Sequence, residues 1–244
     1  MVTKNQIKLV TSLQQKKYRS EHGLFVVEGK KMVNELLEVG LVPFKLFVDN
    51  SHELENFNKA ELVSASELKQ MSSLSTPNGI LGVFHMRSTE KNENLDWTVA
   101  LDAVRDPGNL GTIIRLCDWF GIKQLICSLD TVDCYNPKVL QATMGSIARV
   151  DVIYVDLPNY LKTMDYPIYG AFMDGENVYQ KKLPEKGVLV MGNEANGISE
   201  EISELITERI AIPQFGEVTA ESLNVATATA ILLNEVRRNQ AIQK

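Results

Sequence analysis

Cysteine and histidine are scarce in this 244-residue sequence, with three of each. Cys117, Cys127 and Cys134 are odd in number, none sits in a Cys-x-x-Cys pair, and two lie in apolar runs. They read as core thiols of a reducing compartment, which argues against a disulfide framework and against a zinc site. His22, His52 and His85 all fall in the first third. A histidine metal site is therefore not expected, and no Ser-His-Asp triad can be assembled with the later loops. No apolar run approaches membrane-spanning length, and the start Met-Val-Thr-Lys-Asn-Gln-Ile-Lys has no hydrophobic signal segment. The expectation is a soluble cytoplasmic protein without a membrane partner. Internal repeats and low-complexity tracts are missing as well. So are the Gly-Lys-Ser/Thr of a Walker loop and a Gly-x-Gly-x-x-Gly fingerprint after a strand, which disfavours a Rossmann-type small-molecule enzyme.

Positive charge is also in short supply, with a net charge of −6. Taken alone, that argues against a nucleic-acid binder. Its distribution is uneven. Residues 1–31 carry Lys4, Lys8, Lys16, Lys17, Arg19, Lys30 and Lys31 against Glu21 and Glu28, a surplus of five, so the rest of the chain has a deficit of eleven. A basic leading edge on an acidic body is compatible with contact to an RNA backbone, and equally with a solvated helix face.

Apolar content, by contrast, is ample at 44%, enough for one large domain or two small ones. In the front part, helical spacing is expected over residues 3–15 and again from Gly29 to Gly40. A turn is expected from Tyr18 to Gly23. Strands are expected at Leu24–Val27, Pro43–Val48, Leu62–Val63 and Ile80–Phe84. Ser64-Ala65-Ser66-Glu67 has the form of a capping box opening a helix to about Ser72. Arg87 to Asp96 is polar and aperiodic, so 91–96 is the expected linker between a domain at 1–90 and another at 97–244. The second part alternates strands with helices, the outline of a parallel α/β sheet. Its strands are expected at Thr98–Leu101, Gln124–Cys127, Val152–Val155, Ile168–Phe172, Val188–Met191 and around Ile210. The helices after Asn109, Pro137, Leu157, Ser199 and Ser222 fill the gaps between them.

Three loops follow strands in positions where α/β sheets bind ligands. The first is Asp106-Pro107-Gly108-Asn109-Leu110-Gly111. Asn109 can cap the helix there, and Arg115 offers a permanent forked cation suited to phosphate. An ordinary βα turn with a surface arginine fits equally. The second, Gly192-Asn193-Glu194-Ala195-Asn196-Gly197, places an acid between two glycines after an apolar strand. Glu194 would repel phosphate but could hold a hydroxyl, a backbone amide or a cation. The third runs from Ile212-Pro213 through Gln214–Glu221 to Ser222-Leu223-Asn224-Val225. Ser222 is the candidate N-cap of the terminal helix, and Arg237 and Arg238 suit its C-terminal end.

Together, Asn109-x-Gly111-x-x-x-Arg115, Gly192-Asn193-Glu194-x-x-Gly197 and Ile212-Pro213…Glu221-Ser222-Leu223-Asn224-Val225 resemble the three motifs of the SpoU (TrmH-type) RNA 2′-O-ribose methyltransferases. The resemblance spans roughly residues 97–238. The front segments Lys16-Lys17-Tyr18-Arg19, Gly23–Gly29 and Thr76–Ile80 resemble the L30e-like substrate-binding domain often fused to them. The implied fold is a C-terminal SPOUT domain, an α/β domain whose parallel sheet ends in a trefoil knot, behind a small L30e-like α/β domain. The implied cofactor is S-adenosyl-L-methionine, held by Met191, Gly192, Asn193, Gly197, Ile212 and Leu223, with no metal. Arg115, Asn109, Glu194, Ser222 and Asn224 would be the catalytic set. Arg115 would bind the neighbouring phosphate and orient the acceptor ribose, or accept its proton. Lys16, Lys17, Arg19 and Lys30 would contact RNA, ribosomal rather than transfer RNA, in a homodimer built through the C-terminal domain. A transfer-RNA methyltransferase and a non-catalytic RNA-binding or assembly protein are the alternatives. The sequence departs from the pattern in two places. Gln214–Glu221 is about two residues longer than the family's loop, and Ala226 stands where serine is frequent.

Overall fold

A computed structural model describes residues 2–50, 57, 60–88, 95–216 and 222–242. Residues 89–94, which include most of the expected linker 91–96, and 217–221 of the third loop, Glu221 included, lie outside the described residues, as does His52. The chain divides into two units, one made of Met1–Ser88 with Asp133–Ala148, the other of Thr89–Val132 with Arg149–Lys244. A segment from the middle of the expected second domain is thus grouped with the front of the chain.

The first unit holds a four-stranded sheet in the order β1-β4-β2-β3, formed by β1 (Leu24–Glu28), β2 (Pro43–Val48), β3 (Glu61–Leu62) and β4 (Ile80–His85). β4 is antiparallel to both neighbours, and β3 is parallel to β2. Helices α1 (Lys4–Ser12), α2 (Lys16–His22), α3 (Lys30–Glu38) and α4 (Ala65–Met71) accompany it. The capping box is present, with Ser64 accepting from the Glu67 amide while the Glu67 side chain returns to Ser64. Tyr18–Gly23, expected as a turn, is instead mostly helix. Gly23, in the left-handed conformation at φ +63°, is what ends α2.

Arg19 on α2 corrects the expected RNA contacts. It is only 2% exposed. Its guanidinium pairs with Asp133 and donates to the carbonyls of Leu13 (2.9 Å) and Gln14 (2.8 Å). A cation so enclosed, with four of its five N–H groups bonded to Asp133, Leu13 and Gln14, serves the unit's interior and is not offered to a phosphate. Lys16, Lys17 and Lys30 are exposed.

The second unit is a six-stranded, wholly parallel sheet in the order β10-β8-β9-β5-β6-β7. Its strands are β5 (Trp97–Leu101), β6 (Gln124–Ser128), β7 (Asp151–Val155), β8 (Ile168–Asn177), β9 (Gly187–Met191) and β10 (Glu208–Ala211). Every residue of β5 and of β9 is buried, as a parallel strand covered on both faces requires. Helices α5 (Pro107–Trp119), α6 (Pro137–Thr143), α7 (Leu157–Leu161), α8 (Glu200–Ser203) and α9 (Val225–Ile242) complete the fold, with α6 belonging to the first unit. On α5, Leu110, Ile113, Ile114 and Cys117 are buried, while Phe120 is half-buried just past the helix end. Arg237 of α9 donates to the Phe120 carbonyl at 2.6 Å, satisfying one of the acceptors that the end of α5 leaves open.

Among the described residues, no helix is long and apolar enough to cross a membrane. Among them, too, no group of three or more His, Cys, Asp or Glu could hold a metal ion.

Candidate active site

Strand order creates the site. β5 and β9 are neighbours in the middle of the sheet, where the strand order reverses, and Leu101 pairs with Met191. The next residues of both strands, Asp102 and Gly192, therefore leave the sheet side by side at its carboxyl end, the switch point at which parallel sheets take ligands. Asp102 ties the two exits together. Its amide donates to the Met191 carbonyl (2.9 Å), and its carboxylate accepts from the Ser199 amide (2.7 Å). The sequence leads one to expect Ser199 as the cap of a helix reaching Leu205; Ser199 does stand at the N-cap position, but its side chain makes no cap bond and α8 ends at Ser203.

The second loop is closed on itself. Asn193 and Gly197 exchange backbone hydrogen bonds of 2.8 and 2.9 Å, and Gly197 takes φ +69°. A Cβ on Gly192 would lie 2.2 Å from the Gly197 carbonyl carbon, so only glycine fits. Asn193 reaches across to the first loop, its Nδ2 donating to the Ala103 carbonyl at 2.6 Å. Ala103 itself holds φ +55°, a left-handed conformation that costs a non-glycine residue about 1 kcal/mol.

Glu194 joins the three loops. Its carboxylate accepts from the amides of Arg105 (3.3 Å) and Asp106 (3.1 Å) and from Asn109 Nδ2 (3.0 Å). Because a carboxylate only accepts, the Asn109 amide must turn its NH2 toward Glu194 and its carbonyl away. That carbonyl accepts from Asn224 Nδ2 at 2.8 Å. Asn224 Oδ1 in turn accepts from the amides of Ala226 and Thr227, the first free donors of α9. The polar chain thus runs from a helix start, through two amides, to one carboxylate. Burial pushes the Glu194 carboxyl up, but these donors outweigh it and hold it below the usual glutamate range.

Two expected caps are corrected by this geometry. Asp106, not Asn109, caps α5, accepting from the Asn109 amide at 2.8 Å. Asn224, not Ser222, caps α9, since the helix begins at Val225. Pro107 at the first turn of α5 and the two-residue offset of α9 were the available signals.

Beside this chain opens a cavity of about 710 Å³. Met191, Gly192, Asn193, Gly197, Ile212 and Leu223, the expected cofactor residues, all line it, together with Glu194, Ser222 and Asn224. Ala171, Phe172 and Met173 of β8 and Leu232 of α9 also line it, and sequence reasoning did not single these out. Arg115 is not among the lining residues. It stands on the exposed stripe of α5 with Gly108, Thr112 and Trp119, while Gly111 is buried.

Residues 96–234 match the SpoU rRNA Methylase family, and residues 4–82 match the MRM3-like substrate binding domain. The chain is 34% identical to the 23S rRNA (guanosine(2553)-2′-O)-methyltransferase RlmP of Bacillus subtilis, over 96% of this chain and 97% of that protein. It is similar to the solved structure of a proposed TrmH-family RNA methyltransferase from Porphyromonas gingivalis (39% identity, TM-score 0.89, 98% and 99% of the two chains). It is also similar to an AdoMet-bound rRNA methyltransferase from Sinorhizobium meliloti (29% identity, TM-score 0.85, 98% and 96%).

Proposed function

The chain belongs to the SpoU rRNA methylase family, and we propose that it is an S-adenosylmethionine-dependent RNA 2′-O-ribose methyltransferase acting on ribosomal RNA. The observation that carries this reading is the hydrogen-bonded chain Glu194–Asn109–Asn224 fixing three loops at the mouth of one cavity. The cavity suits the cofactor. Its volume lies in the range of small-molecule sites, its walls at Ile210, Ile212 and Leu232 are apolar, and polar groups are concentrated at Asn193, Glu194 and Asn224. Met191, Gly192, Asn193, Gly197, Ile212 and Leu223 would hold it. The cofactor supplies a methyl group on a sulfonium, already activated for in-line displacement.

The protein's work is then to bring up a weak nucleophile and manage its proton. Arg115 binds the phosphate next to the acceptor ribose and orients its 2′-hydroxyl. A guanidinium stays protonated, so it steers and stabilises charge rather than acting as free base. Asn109 and Glu194 keep the first and second loops in place, and Ser222 and Asn224 stand at the cavity where the ribose must enter. The first unit, with the exposed Lys16, Lys17 and Lys30, contributes RNA-backbone contacts. The working form is a cytoplasmic homodimer in which a second copy packs along the exposed stripe of α5 and leaves Arg115 at the boundary between the copies, where the RNA enters. Trp119, 84% exposed on this stripe, is the residue most in want of such cover.

The test is transfer of a labelled methyl group to total RNA from a strain lacking the protein. Wild-type chain should mark ribosomal RNA at one 2′-oxygen, and Arg115→Ala should lose at least about a hundredfold in rate while S-adenosylmethionine affinity holds. Near-normal transfer by that variant removes Arg115 from the reaction, and a mark confined to transfer RNA changes the substrate. Sedimentation at dimer mass supports the assembly, and monomer mass rejects it.

A further inference from the structure

β8 leaves its partner in the middle. Tyr169 and Gly170 pair with Glu208 and Arg209 of β10, yet the next β10 residue, Ile210, pairs with Glu176. Residues 171–175 therefore form an excursion with no counterpart in β10, an extreme form of the bulge by which strands re-aim side chains beside active sites. Ala171, Phe172 and Met173 of this excursion line the cavity.

Three features hold the excursion in one shape. Gly170 leaves room for the Phe172 ring to fold back, since a Cβ there would lie 2.5 Å from Phe172 Cε2. Gly175 lets the chain return hard against β10, since a Cβ there would lie 2.4 Å from the Ile210 carbonyl carbon. Arg209, paired across the ladder with Gly170, closes the arrangement. Its guanidinium carbon sits 3.4 Å from the Phe172 ring centroid, Nη2 bonds Asp174 Oδ1 at 2.5 Å, and Nη1 donates to Ser203 Oγ at 3.2 Å. One side chain thus grips the excursion at two of its five residues and anchors it to the end of α8. The hydrogen bond from Arg209 also holds the Asp174 carboxyl below the usual aspartate range.

We propose that Arg209 is a positioning residue for the cofactor, stapling the 171–175 excursion so that Ala171, Phe172 and Met173 present a preformed wall to the bound S-adenosylmethionine. This rests on the cofactor reading above. Arg209 touches no reacting atom. It acts by sparing the cofactor the cost of ordering that wall. A planar guanidinium is needed because it stacks on a ring and bonds a carboxylate at once, whereas an ammonium does only the latter well.

Calorimetric titration with S-adenosylmethionine, paired with hydrogen exchange of residues 170–176 in the free chain, tests this. Arg209→Ala should raise the Kd about tenfold, equivalent to about 1.4 kcal/mol, and raise KM for the cofactor while KM for RNA is unchanged. Arg209→Lys should fall between it and wild type. Amides 171–175 should exchange faster in both variants, with melting temperature lowered little. An unchanged Kd, or equal rises in both KM values, overturns the proposal. If wild-type chain itself binds no S-adenosylmethionine, the function proposed above fails and the cofactor role fails with it. Exchange then still decides whether Arg209 staples the excursion.

Discussion

At the scale of single residues, Glu194 concentrates the site's electrostatics. An acid in a loop after a strand is a common thing, and the sequence offered hydroxyl, amide and cation as partners for it. In the folded chain it accepts two backbone amides and the Asn109 side chain. Its lowered pKa has a direction in stability. A carboxyl held below its unfolded value stabilises the fold above that value, and the contribution vanishes as pH falls through the lowered one. Glu194→Gln should therefore be less stable than wild type at neutral pH. The difference should shrink below the ordinary glutamate value of 4.5 and close once wild type is protonated. Urea denaturation of both chains between neutral pH and pH of about 3 measures it. A gap that persists in acid would show that lost packing, not charge, sets the effect.

At the scale of elements, strands were read more faithfully than helix ends. A buried parallel strand is an uninterrupted apolar run, as at Gly187–Met191, and needs no partner to be recognised. Helix starts depend on which of several short polar side chains wins the free amides, and neighbours decide that. Ser222 has the usual form of a cap, but the amides of α9 go to Asn224, whose own NH2 is held by Asn109. Asn224→Ala should accordingly cost about 1–2 kcal/mol, through the lost cap and the freed Asn109 carbonyl. Ser222→Ala should change stability by less than about 0.5 kcal/mol. Equal losses from the two would return the cap to Ser222. The excursion in β8 had no sequence signal beyond its two glycines, because an interruption of pairing is a property of the ladder and not of one strand.

At the scale of the whole molecule, charge misled where burial was decisive. Arg19 belongs to the basic leading edge by composition, yet its guanidinium lies inside the first unit against Asp133, from 114 residues further along. The ion-paired side chains are 3% and 13% exposed. Removing one partner alone leaves a poorly hydrated charge. Arg19→Met should destabilise by about 3 kcal/mol, and the added change Asp133→Leu should recover much of that. Thermal denaturation of the single and double variants decides it. No recovery in the double variant would assign the loss to the two backbone carbonyls that Arg19 also serves.

By itself the sequence determined the alternation of strands and helices, the three loops and the family to which they belong. Those follow from apolar periodicity and from short motifs whose residues lie close together along the chain. What only the tertiary structure decided is which donors meet which acceptors: Asn109 between Glu194 and Asn224, Asp102 on Ser199, Arg209 on Phe172 and Asp174, Arg19 inside. Each of those pairings joins segments that only the folded chain brings together, and a hydrogen bond is specified by angles and distances that no linear spacing contains.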